Sequence, residues 1–491
     1  MSLFLLATTI LILGYFTYGM LIDRVFRPDA GRTPPALLQT DGVDFVPLGW
    51  PKIFLIQLLN IAGLGPIFGA LAGALWGPVA YVWIVFGTLF AGGVHDYLSG
   101  MISIRNRGAS FSELTGHYLG KTTQNIMRVF CIGLMVLVGA VFVIGPAKLL
   151  ANLTPDILSF NFWMVAVFCY YFLATMLPID KLIGRVYPVF GVALVVMAAG
   201  IAGGLIWHGH TMPEFTLANL HPKHLPIWPL MCISIACGAV SGFHATQSPM
   251  MARCLKNERH GRRVFYGAMV AEGIIALIWA TAGMAFFHGT EGLAAAMAAG
   301  GPAVVVHDIS IALLGKVGGL LALLGVIVCP ITSGDTAFRS ARLMVADWLG
   351  ADQKPLLKRT YVAVPLFVAG AAISQLKFDV VWRYFAWSNQ TLAMVVLWLG
   401  AVYLVRRALP HWFATVPATF MTAVSATYLL VAPEGFSIAT EIAYPLGGAI
   451  AALVLALFLG VVFPRNRGLP ADLAREIPRA AEREAEMADL A

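Results

Sequence analysis

The chain has 491 residues, of which 59% are hydrophobic and only 12% are charged, and its mean hydropathy is +0.80. Because a soluble domain carries about 25% charged residues, this composition excludes a soluble globular protein. The net charge of +7 does not indicate nucleic-acid binding, since the excess of Lys and Arg lies in short loops between apolar runs, where it orients helices in a membrane.

Apolar runs of roughly 20 residues recur from one end of the chain to the other. They predict an all-α polytopic membrane protein with about 13 transmembrane helices and no large soluble domain. The first run lacks a basic n-region and a small-residue cleavage site, so we expect a retained helix and not a signal peptide. The predicted spans are residues 2–22, 50–75, 78–104, 124–151, 160–178, 184–207, 226–252, 263–288, 312–346, 360–376, 381–405, 412–432 and 439–463.

Basic residues alternate along this series of spans. They concentrate in the loops after spans one, three, five, seven, nine and eleven, whereas the other loops hold few besides Lys223 and Lys377. By the positive-inside rule we expect the first set of loops in the cytoplasm, the N-terminus outside and the C-terminal tail inside. That set contains Arg24, Arg27, Arg32, Arg105, Arg107, Lys121, Lys181, Arg185, Arg253, Lys256, Arg259, Arg262, Arg263, Lys354, Lys358, Arg359, Arg406 and Arg407.

Small residues interrupt the second and the seventh span. They are Gly63, Gly65 and Pro66 in the second span and Gly238, Ser241 and Gly242 in the seventh. A broken helix exposes backbone N–H and C=O groups that lipid cannot satisfy but a bound substrate or ion can. In a single span a packing kink explains such residues equally well, because Gly and Pro are common in membrane helices. Two breaks at matching positions favour the binding site of a secondary transporter.

The two broken spans are five spans apart and run in opposite directions in the predicted topology. Spans two to six and seven to eleven therefore predict an inverted repeat of five plus five helices, the LeuT-type arrangement. We expect a peripheral helix and cytoplasmic link at 1–40, a first repeat at 41–207, a second repeat at 226–405, two peripheral helices at 406–463 and a charged cytoplasmic tail at 464–491.

Each broken helix offers two kinds of binding group. The half that starts at the break presents N–H groups that suit an anion, and the half that ends there presents carbonyls that suit a cation. Pro66 fits the first turn of such a half-helix, where its missing N–H costs nothing. His244 follows the second break and is either a substrate contact or a structural histidine. The candidate substrate-binding residues are Asn60, Gly63, Gly65, Pro66, Gly238, Ser241, Gly242 and His244.

Titratable residues inside predicted spans are functional candidates, because a buried charge is expensive in a membrane. His95 and Asp96 in span three form either a proton-relay pair, since His titrates near neutral pH, or a gate latch bonded to Arg105 or another loop base. Glu272 in span eight is either a protonatable coupling group or the partner of a base on a neighbouring helix.

Span nine carries a further polar group. The adjacent hydroxyls of Thr332 and Ser333 either ligate a cation against a carbonyl of the first break or bond back to their own helix. Asp335 and Arg339 are four residues apart, so they share a helix face and are expected to pair. We assign Ala62, Thr332, Ser333, Asp335 and Glu272 to ion coupling, and His95, Asp96, Arg339 and Arg342 to gating or a proton relay.

Other polar residues receive simpler interpretations. Arg383, Ser388, Asn389 and Gln390 in span eleven are expected to pack helices or to form a gate. The six cysteines lack CxxC spacing and are expected to be small buried hydrophobes. The sequence has no zinc-protease, nucleophile-elbow or Walker A motif, so we expect no enzyme activity and no cofactor beyond a coupling ion, H⁺ or Na⁺.

Several of these segments resemble the carbon starvation protein A (CstA) family, over roughly residues 40–400. The resemblance implies uptake of pyruvate or small peptides across the bacterial inner membrane, with protons, and kinship with LeuT-type transporters. Longer family members carry a His-His pair where this chain has Ile56 and Gln57, and a longer C-terminal membrane region. The matching segments are 41–47 (DGVDFVP), 61–66 (IAGLGP), 94–96 (VHD) with Ser103 and Arg105, 235–245 (IACGAVSGFHA), and 388–390 (SNQ) with Leu392 and Ala393.

Together these features predict an ion-coupled symporter for a small carboxylate-bearing nutrient. Pyruvate comes before short peptides as the expected substrate, and the proton before sodium as the coupling ion. Rival interpretations are a passive channel or facilitator and a membrane nutrient sensor. The expected partners are the anionic substrate or short peptide and the lipid bilayer, without nucleic acid.

Overall fold

In the computed structural model, every regular element of the described residues is helical, apart from an isolated parallel bridge between Leu48 and Leu255. The described residues are 2–42, 44–176, 187–211, 214–351, 353 and 355–472, and the side chain of Leu321 is not among them. Lys181, Arg185 and Lys354 of the predicted cytoplasmic loops, and residues 473–491 of the predicted tail, lie outside this part of the chain.

The helices follow one another with short connections. In chain order they are Ser2–Phe16, Tyr18–Phe26, Pro35–Leu38, Trp50–Ile61, Gly65–Gly69, Ala70–Gly73, Ala74–Trp76, Ala80–Phe86, Gly87–Gly92, Gly93–Arg105, Phe111–Leu119, Lys121–Leu153, Phe160–Met176, Tyr187–Trp207, Leu230–Ile235, Ala236–Gly238, His244–Ala252, Glu258–His260, Arg262–Tyr266, Gly267–Phe286, Thr290–Leu349, Leu356–Ile373, Phe378–Arg406, Trp412–Val431, Thr440–Leu457, Phe458–Val462 and Phe463–Asn466.

The number of membrane crossings follows from helix length and composition. By these criteria nine helices of the described residues qualify as spans, or ten if the bent pair Trp50–Ile61 and Gly65–Trp76 counts as one span. Each predicted span overlaps one or more of the observed helices. The all-α polytopic fold is therefore confirmed, whereas the count of about 13 spans and the inverted repeat stay predictions.

The structure adds helices that the sequence analysis treated as loops. The predicted span 312–346 is the last part of the helical stretch Thr290–Leu349, which turns sharply at Gly301 and Gly315, where φ is +74° and +66°. Positive φ favours glycine, so these two residues divide the stretch, and its part Thr290–Leu320 is one of the nine candidate spans although the sequence predicted a loop over most of it. The short helix Phe111–Leu119 begins at a capping box between Ser110 and Glu113.

Both predicted breaks are present. The first broken helix ends at Ile61 and resumes at Gly65 after a bend of 57°, with Pro66 in the first turn of the second half. The second broken helix is unwound over residues 239–243, between the turn Ala236–Gly238 and the helix that starts at His244. The chain therefore offers unwound backbone at two points in the interior.

The two broken helices approach each other closely beside their breaks. A Cβ atom on Gly69 would lie 2.9 Å and 3.0 Å from the carbonyl oxygens of Ile235 and Ser234. A Cβ atom on Gly65 would overlap the side chain of Cys237. These glycines are needed because no side chain fits between the helices, and they hold the two breaks side by side.

Burial separates the core of the bundle from its edge. In the helical segments Glu258–Phe286 and Phe378–Arg406, 83% of the most apolar window is buried. The corresponding share is 28% for Ser2–Phe26 and 17% for Thr440–Asn466, which therefore face lipid at the edge. The breaks and the most polar spans lie inside.

We predict that Gly69→Ala lowers the thermal stability of the purified protein in detergent, because the added methyl group pushes on two backbone carbonyls that cannot rotate away. Overpacking of this kind costs about 1–3 kcal/mol. The control is Gly203→Ala on the helix Tyr187–Trp207, where an added Cβ meets no atom within 4 Å. The control should keep or slightly raise the melting temperature. Equal melting temperatures for the two variants would contradict the close approach.

Candidate functional site

Four titratable side chains form a continuous buried chain beside the second break. The Nδ1 atoms of His95 and His244 lie 2.8 Å and 2.9 Å from the carboxylate of Asp96, on its two different oxygens. The Nε2 atom of His244 lies 3.4 Å from the carboxylate of Glu272. All four side chains are fully buried. They come from three helices, Gly93–Arg105, His244–Ala252 and Gly267–Phe286.

This arrangement fixes the hydrogen positions on both imidazoles. An ionised Asp96 only accepts hydrogen bonds, so each Nδ1 atom carries the hydrogen. His244 turns its Nε2 atom towards Glu272 at 3.4 Å, but this atom and both carboxylate oxygens of Glu272 have no hydrogen-bond partner among the described residues, so the contact is one of charge and strengthens when His244 is protonated. One proton can therefore reside on either side of this contact. We refer to His95, Asp96, His244 and Glu272 as the central acid–histidine chain.

His95 and Asp96 were predicted as a pair, and His244 and Glu272 were given separate roles; the structure brings all four side chains together. The alternative in which Asp96 latches onto Arg105 is wrong, because Arg105 pairs with Glu258 at 3.1 Å and donates to the carbonyl oxygen of Arg27 at 2.9 Å. Glu258 was missed as a partner. The signal was a lone carboxylate in the basic segment 253–263.

Asn389 and Gln390 satisfy the unwound backbone of the second break. The Oδ1 atom of Asn389 accepts hydrogen bonds from the Ser241 hydroxyl at 3.0 Å and from the Phe243 N–H at 2.7 Å. Gln390 donates its side-chain N–H to the carbonyl oxygen of Val240 at 3.1 Å. The two residues were predicted only as packing or gate residues, and the structure shows that they pair with the polar groups of the unwound segment 239–243.

The predicted role of Gly242 as an anion donor is wrong in this conformation. Its N–H donates to the carbonyl oxygen of Asn389 at 3.1 Å, and a Cβ atom there would lie 2.5 Å from that oxygen. The helix Phe378–Arg406 thus both accepts the N–H of Gly242 and fills the space beside its Cα. Gly65 differs, since among the hydrogen bonds of the described residues none begins at its N–H. The N–H of Gly63, another predicted substrate-binding residue, donates to the carbonyl oxygen of Ile61 at 2.9 Å, so at the first break Gly65 offers a free donor to an anion and Gly63 does not.

The first break is tied to the helix that carries the predicted cation ligands. The Ser333 hydroxyl donates to the carbonyl oxygens of Leu59 and Cys329, both at 3.1 Å, and the Cys329 thiol contacts the carbonyl oxygen of Ala62. The Thr332 hydroxyl bonds back to Cys329 in its own helix at 2.8 Å. Both hydroxyls therefore bond back to their own helix, as one alternative expected, and Ser333 also contacts the end of the first half-helix at Leu59, whereas cation ligation stays a prediction.

Unpaired amides mark the first broken helix just before its break. Both amide atoms of Asn60 and the Oε1 atom of Gln57 are buried without a hydrogen-bond partner among the described residues. The Nε2 atom of Gln57 donates to the Ser248 hydroxyl at 3.4 Å. Asn60 follows three residues later, so its side chain lies on the same side of the helix. Buried amides are normally hydrogen-bonded, so this pair is a candidate for contact with a ligand. Gln57 was not predicted as a site residue.

Asp335 and Arg339 do not form the predicted ion pair. Asp335 accepts a hydrogen bond from Tyr170 at 3.2 Å and another from Tyr187. Arg339 instead donates to the carbonyl oxygen of Ala174 at 2.6 Å. The spacing places both side chains on one face, as expected, but groups on the facing helices reach each of them first. Arg342 contacts the side-chain oxygen of Gln353.

The polar clusters do not form a metal centre. Within the described residues, no group of three or more His, Cys, Asp and Glu side chains has an arrangement that could hold a metal ion. The site therefore consists of unwound backbone, amides, hydroxyls and the central acid–histidine chain.

Comparison with known proteins concerns the chain as a whole. The family model described as "Carbon starvation protein CstA" matches residues 1–162 and 151–287. An uncharacterized membrane protein of Haemophilus influenzae is 42% identical, over 60% of this chain and 94% of the relative. The peptide transporter CstA of Escherichia coli is 25% identical, over 84% of this chain and 78% of the relative. The pyruvate/proton symporter BtsT of the same organism is 26% identical, over 55% and 47%.

Solved structures agree on the fold. The structure of MhsT in complex with L-phenylalanine has a TM-score of 0.55 and 13% identity, and the alignment covers 84% of this chain and 98% of that one. A manganese transporter of Eremococcus coleocola has a TM-score of 0.50 and 12% identity, with coverage of 87% and 98%. At this identity the likeness concerns the fold alone, which is the LeuT-type transporter fold that the sequence predicted.

We predict that Asn389→Ala destabilises the protein, because the Ser241 hydroxyl and the Phe243 N–H lose their acceptor in the interior. A buried group left without a partner costs about 1–3 kcal/mol. Ser388→Ala is the control, since the Ser388 side chain makes no hydrogen bond among the described residues. Thermal unfolding in detergent should rank Asn389→Ala well below both wild type and control. Unchanged unfolding in Asn389→Ala would show that the second break is satisfied in another way.

Proposed function

Because the chain belongs to the carbon starvation protein CstA family, we propose that this membrane transporter is a proton-coupled symporter. Its proposed substrate is a small carboxylate-bearing nutrient, with pyruvate first, imported across the bacterial inner membrane. The observation that carries the proposal is the central acid–histidine chain, which joins the second broken helix to two neighbouring helices at a fully buried position. The proton coupling of the relative BtsT points the same way.

The central acid–histidine chain supplies a reason for coupling. With Asp96 and Glu272 both ionised and both histidines neutral, it carries two negative charges and repels an anion. A proton bound between His244 and Glu272 removes one of these charges before the substrate carboxylate enters. Buried like charges interact strongly because little solvent screens them. Proton binding and anion binding therefore favour each other, which is the thermodynamic requirement for symport.

The first break supplies the proposed contacts to the substrate. The second half of the first broken helix starts at Gly65, and its N-terminus presents the free N–H of Gly65 and a positive dipole end to a carboxylate. The unpaired amide of Asn60 is positioned one residue before the end of the first half and suits a second polar atom, such as the keto oxygen of pyruvate. His244 follows the facing break and adds a positive charge when protonated.

A short peptide is the alternative substrate, and the names of several relatives favour it. A peptide has the same carboxylate for the first break, and its amide group suits Asn60 and Gln57 as well as a keto oxygen does. Its ammonium group needs an acceptor, which Glu272 provides only when it is ionised. A peptide and a proton would then compete at Glu272, whereas pyruvate and a proton would not.

Sodium is the alternative coupling ion. Oxygen atoms that could ligate a hard cation cluster beside the first break. The Ser333 hydroxyl lies 3.1 Å from the carbonyl oxygens of Leu59 and Cys329, and the Thr332 hydroxyl lies 2.8 Å from that of Cys329. Asp335 does not contribute a charge to this group, because Tyr170 and Tyr187 hold its carboxylate elsewhere. A proton remains the preferred ion because the central acid–histidine chain contains four groups that can bind a proton, whereas the hydroxyls and carbonyls near Ser333 carry no charge to attract sodium.

Uptake into proteoliposomes tests the proposed substrate and ion. We expect an acidic exterior to drive accumulation of labelled pyruvate above equilibrium, while an inward sodium gradient without a pH difference leaves uptake at the passive level. One proton and one monoanion carry no net charge, so membrane potential alone should not drive the process. A labelled dipeptide is measured in parallel. Sodium-driven accumulation abolished by Ser333→Ala would show the other ion, and equilibration without accumulation would show a passive facilitator.

We predict that Glu272→Gln uncouples transport. The amide keeps the shape of the side chain but cannot accept the proton, so pH-driven accumulation should fall by about tenfold or more, within the usual range of coupling between two sites. Exchange of labelled for unlabelled substrate needs no net proton movement and should persist. The control Glu291→Gln, at an exposed position, should behave as wild type. Full pH-driven accumulation in Glu272→Gln would remove Glu272 from the coupling mechanism.

A further inference from the structure

A groove with one basic end lies on the lipid-facing side of the bundle, away from the central acid–histidine chain. It has a volume of about 430 Å³ and is bounded by three elements, the N-terminal helix, the start of the first broken helix and the helix that carries Glu272. Its apolar walls include Phe16, Phe54, Ala271 and Ile274. The residue with a full charge in the lining is Arg263. We call this cavity the Arg263 groove.

Arg263 is available to a partner outside the protein. Its guanidinium lies 4.9 Å from the centre of the Trp50 ring, and within the described residues it has no hydrogen bond and no ion pair. Its neighbour Arg262 differs, because it donates to the carbonyl oxygen of Tyr15 at 3.3 Å and lies 4.0 Å from the carboxylate of Asp23. The protein thus uses one arginine internally and leaves the next one exposed at the end of the groove.

Trp50 locates the basic end relative to the membrane. Tryptophan favours the boundary between lipid tails and headgroups, and Trp50 starts the first broken helix on the face predicted to be cytoplasmic. The ring holds the Arg263 guanidinium by a cation–π contact at that level. A phosphate at Arg263 and an acyl chain along the apolar walls would therefore both lie at their natural depths.

A second groove provides an internal comparison. It lies between the helices Tyr187–Trp207 and Thr290–Leu349, has a larger volume of about 670 Å³, and is lined by apolar side chains and glycines such as Val192, Val196 and Gly318. None of its lining residues is charged. Lipid tails of any kind fit such a surface. What distinguishes the Arg263 groove is the unpaired positive charge at its end, not its size.

We propose that the Arg263 groove binds an anionic phospholipid, with the headgroup phosphate at Arg263 and one acyl chain between the N-terminal helix and the first broken helix. Basic pockets between membrane helices near the cytoplasmic surface attract such headgroups. The bound lipid links the N-terminal helix, which is mostly exposed, to the two core elements that carry the first break and Glu272. This assignment does not depend on which substrate or ion the protein transports.

The test uses the purified full-length protein and two phospholipids with the same acyl chains, phosphatidylglycerol and phosphatidylcholine. Native mass spectrometry counts bound lipids and thermal unfolding measures stabilisation. For wild type we expect phosphatidylglycerol to bind about fivefold better than phosphatidylcholine, the preference that one basic residue confers, and to raise the melting temperature more. In Arg263→Gln the preference should vanish. The control Arg259→Gln removes an exposed arginine that does not line the groove, and it should keep the preference.

Further measurements separate the other occupants. Ala271→Phe fills the groove and should lower retention of both lipids, while Arg263→Gln, an exposed change, tests the headgroup even if Ala271→Phe fails to fold. An equal response of wild type and Arg263→Gln to phosphatidylglycerol would overturn the proposal. Full stabilisation by glycerol phosphate alone would overturn it in favour of a phosphate site without lipid. A change in oligomeric mass in Arg263→Gln would overturn it in favour of a contact between two copies of the chain.

Discussion

The structure depends on one constraint, that backbone N–H and C=O groups inside a membrane need partners. A continuous helix pairs these groups within itself, and this chain interrupts a helix twice, at residues 62–64 and 239–243. The second break is repaired by Asn389 and Gln390 from the helix Phe378–Arg406, and carbonyls beside the first are capped by Ser333 and Cys329. Both repairs come from other helices, so the breaks fix how those helices pack.

The same low-polarity interior explains the pairing of the buried charges. Asp96 is shared between two imidazoles, Arg105 between Glu258 and backbone carbonyls, and Asp335 between two tyrosine hydroxyls. In each case several partial charges replace water around one full charge. The central acid–histidine chain stands out among these networks. It contains two carboxylates and two imidazoles without a permanent cation, so its net charge changes with each proton that it binds.

The two breaks are not equivalent in this conformation. At the second break, the N–H of Gly242 and the hydroxyl of Ser241 are both bonded to Asn389, which closes that half of the site. At the first break, Asn60 and Gln57 still have unpaired amide atoms. In the proposed transport cycle, substrate binding therefore begins at the first break.

The sequence alone determined that the chain is an all-α membrane protein and where two of its helices break, because apolar length and glycine placement act locally along the chain. It also identified Asp96, His244, Glu272, Ser333 and Asp335, since a polar residue inside an apolar run is conspicuous wherever it points. Only the tertiary structure decided their partners. Asp335 accepts hydrogen bonds from two tyrosines and does not pair with Arg339, and Asn389 is the acceptor for the second break. These contacts could not be read from sequence spacing, because each partner lies more than a hundred residues away in the chain. Sequence spacing governs contacts within one helix, whereas contacts between helices depend on how the helices pack.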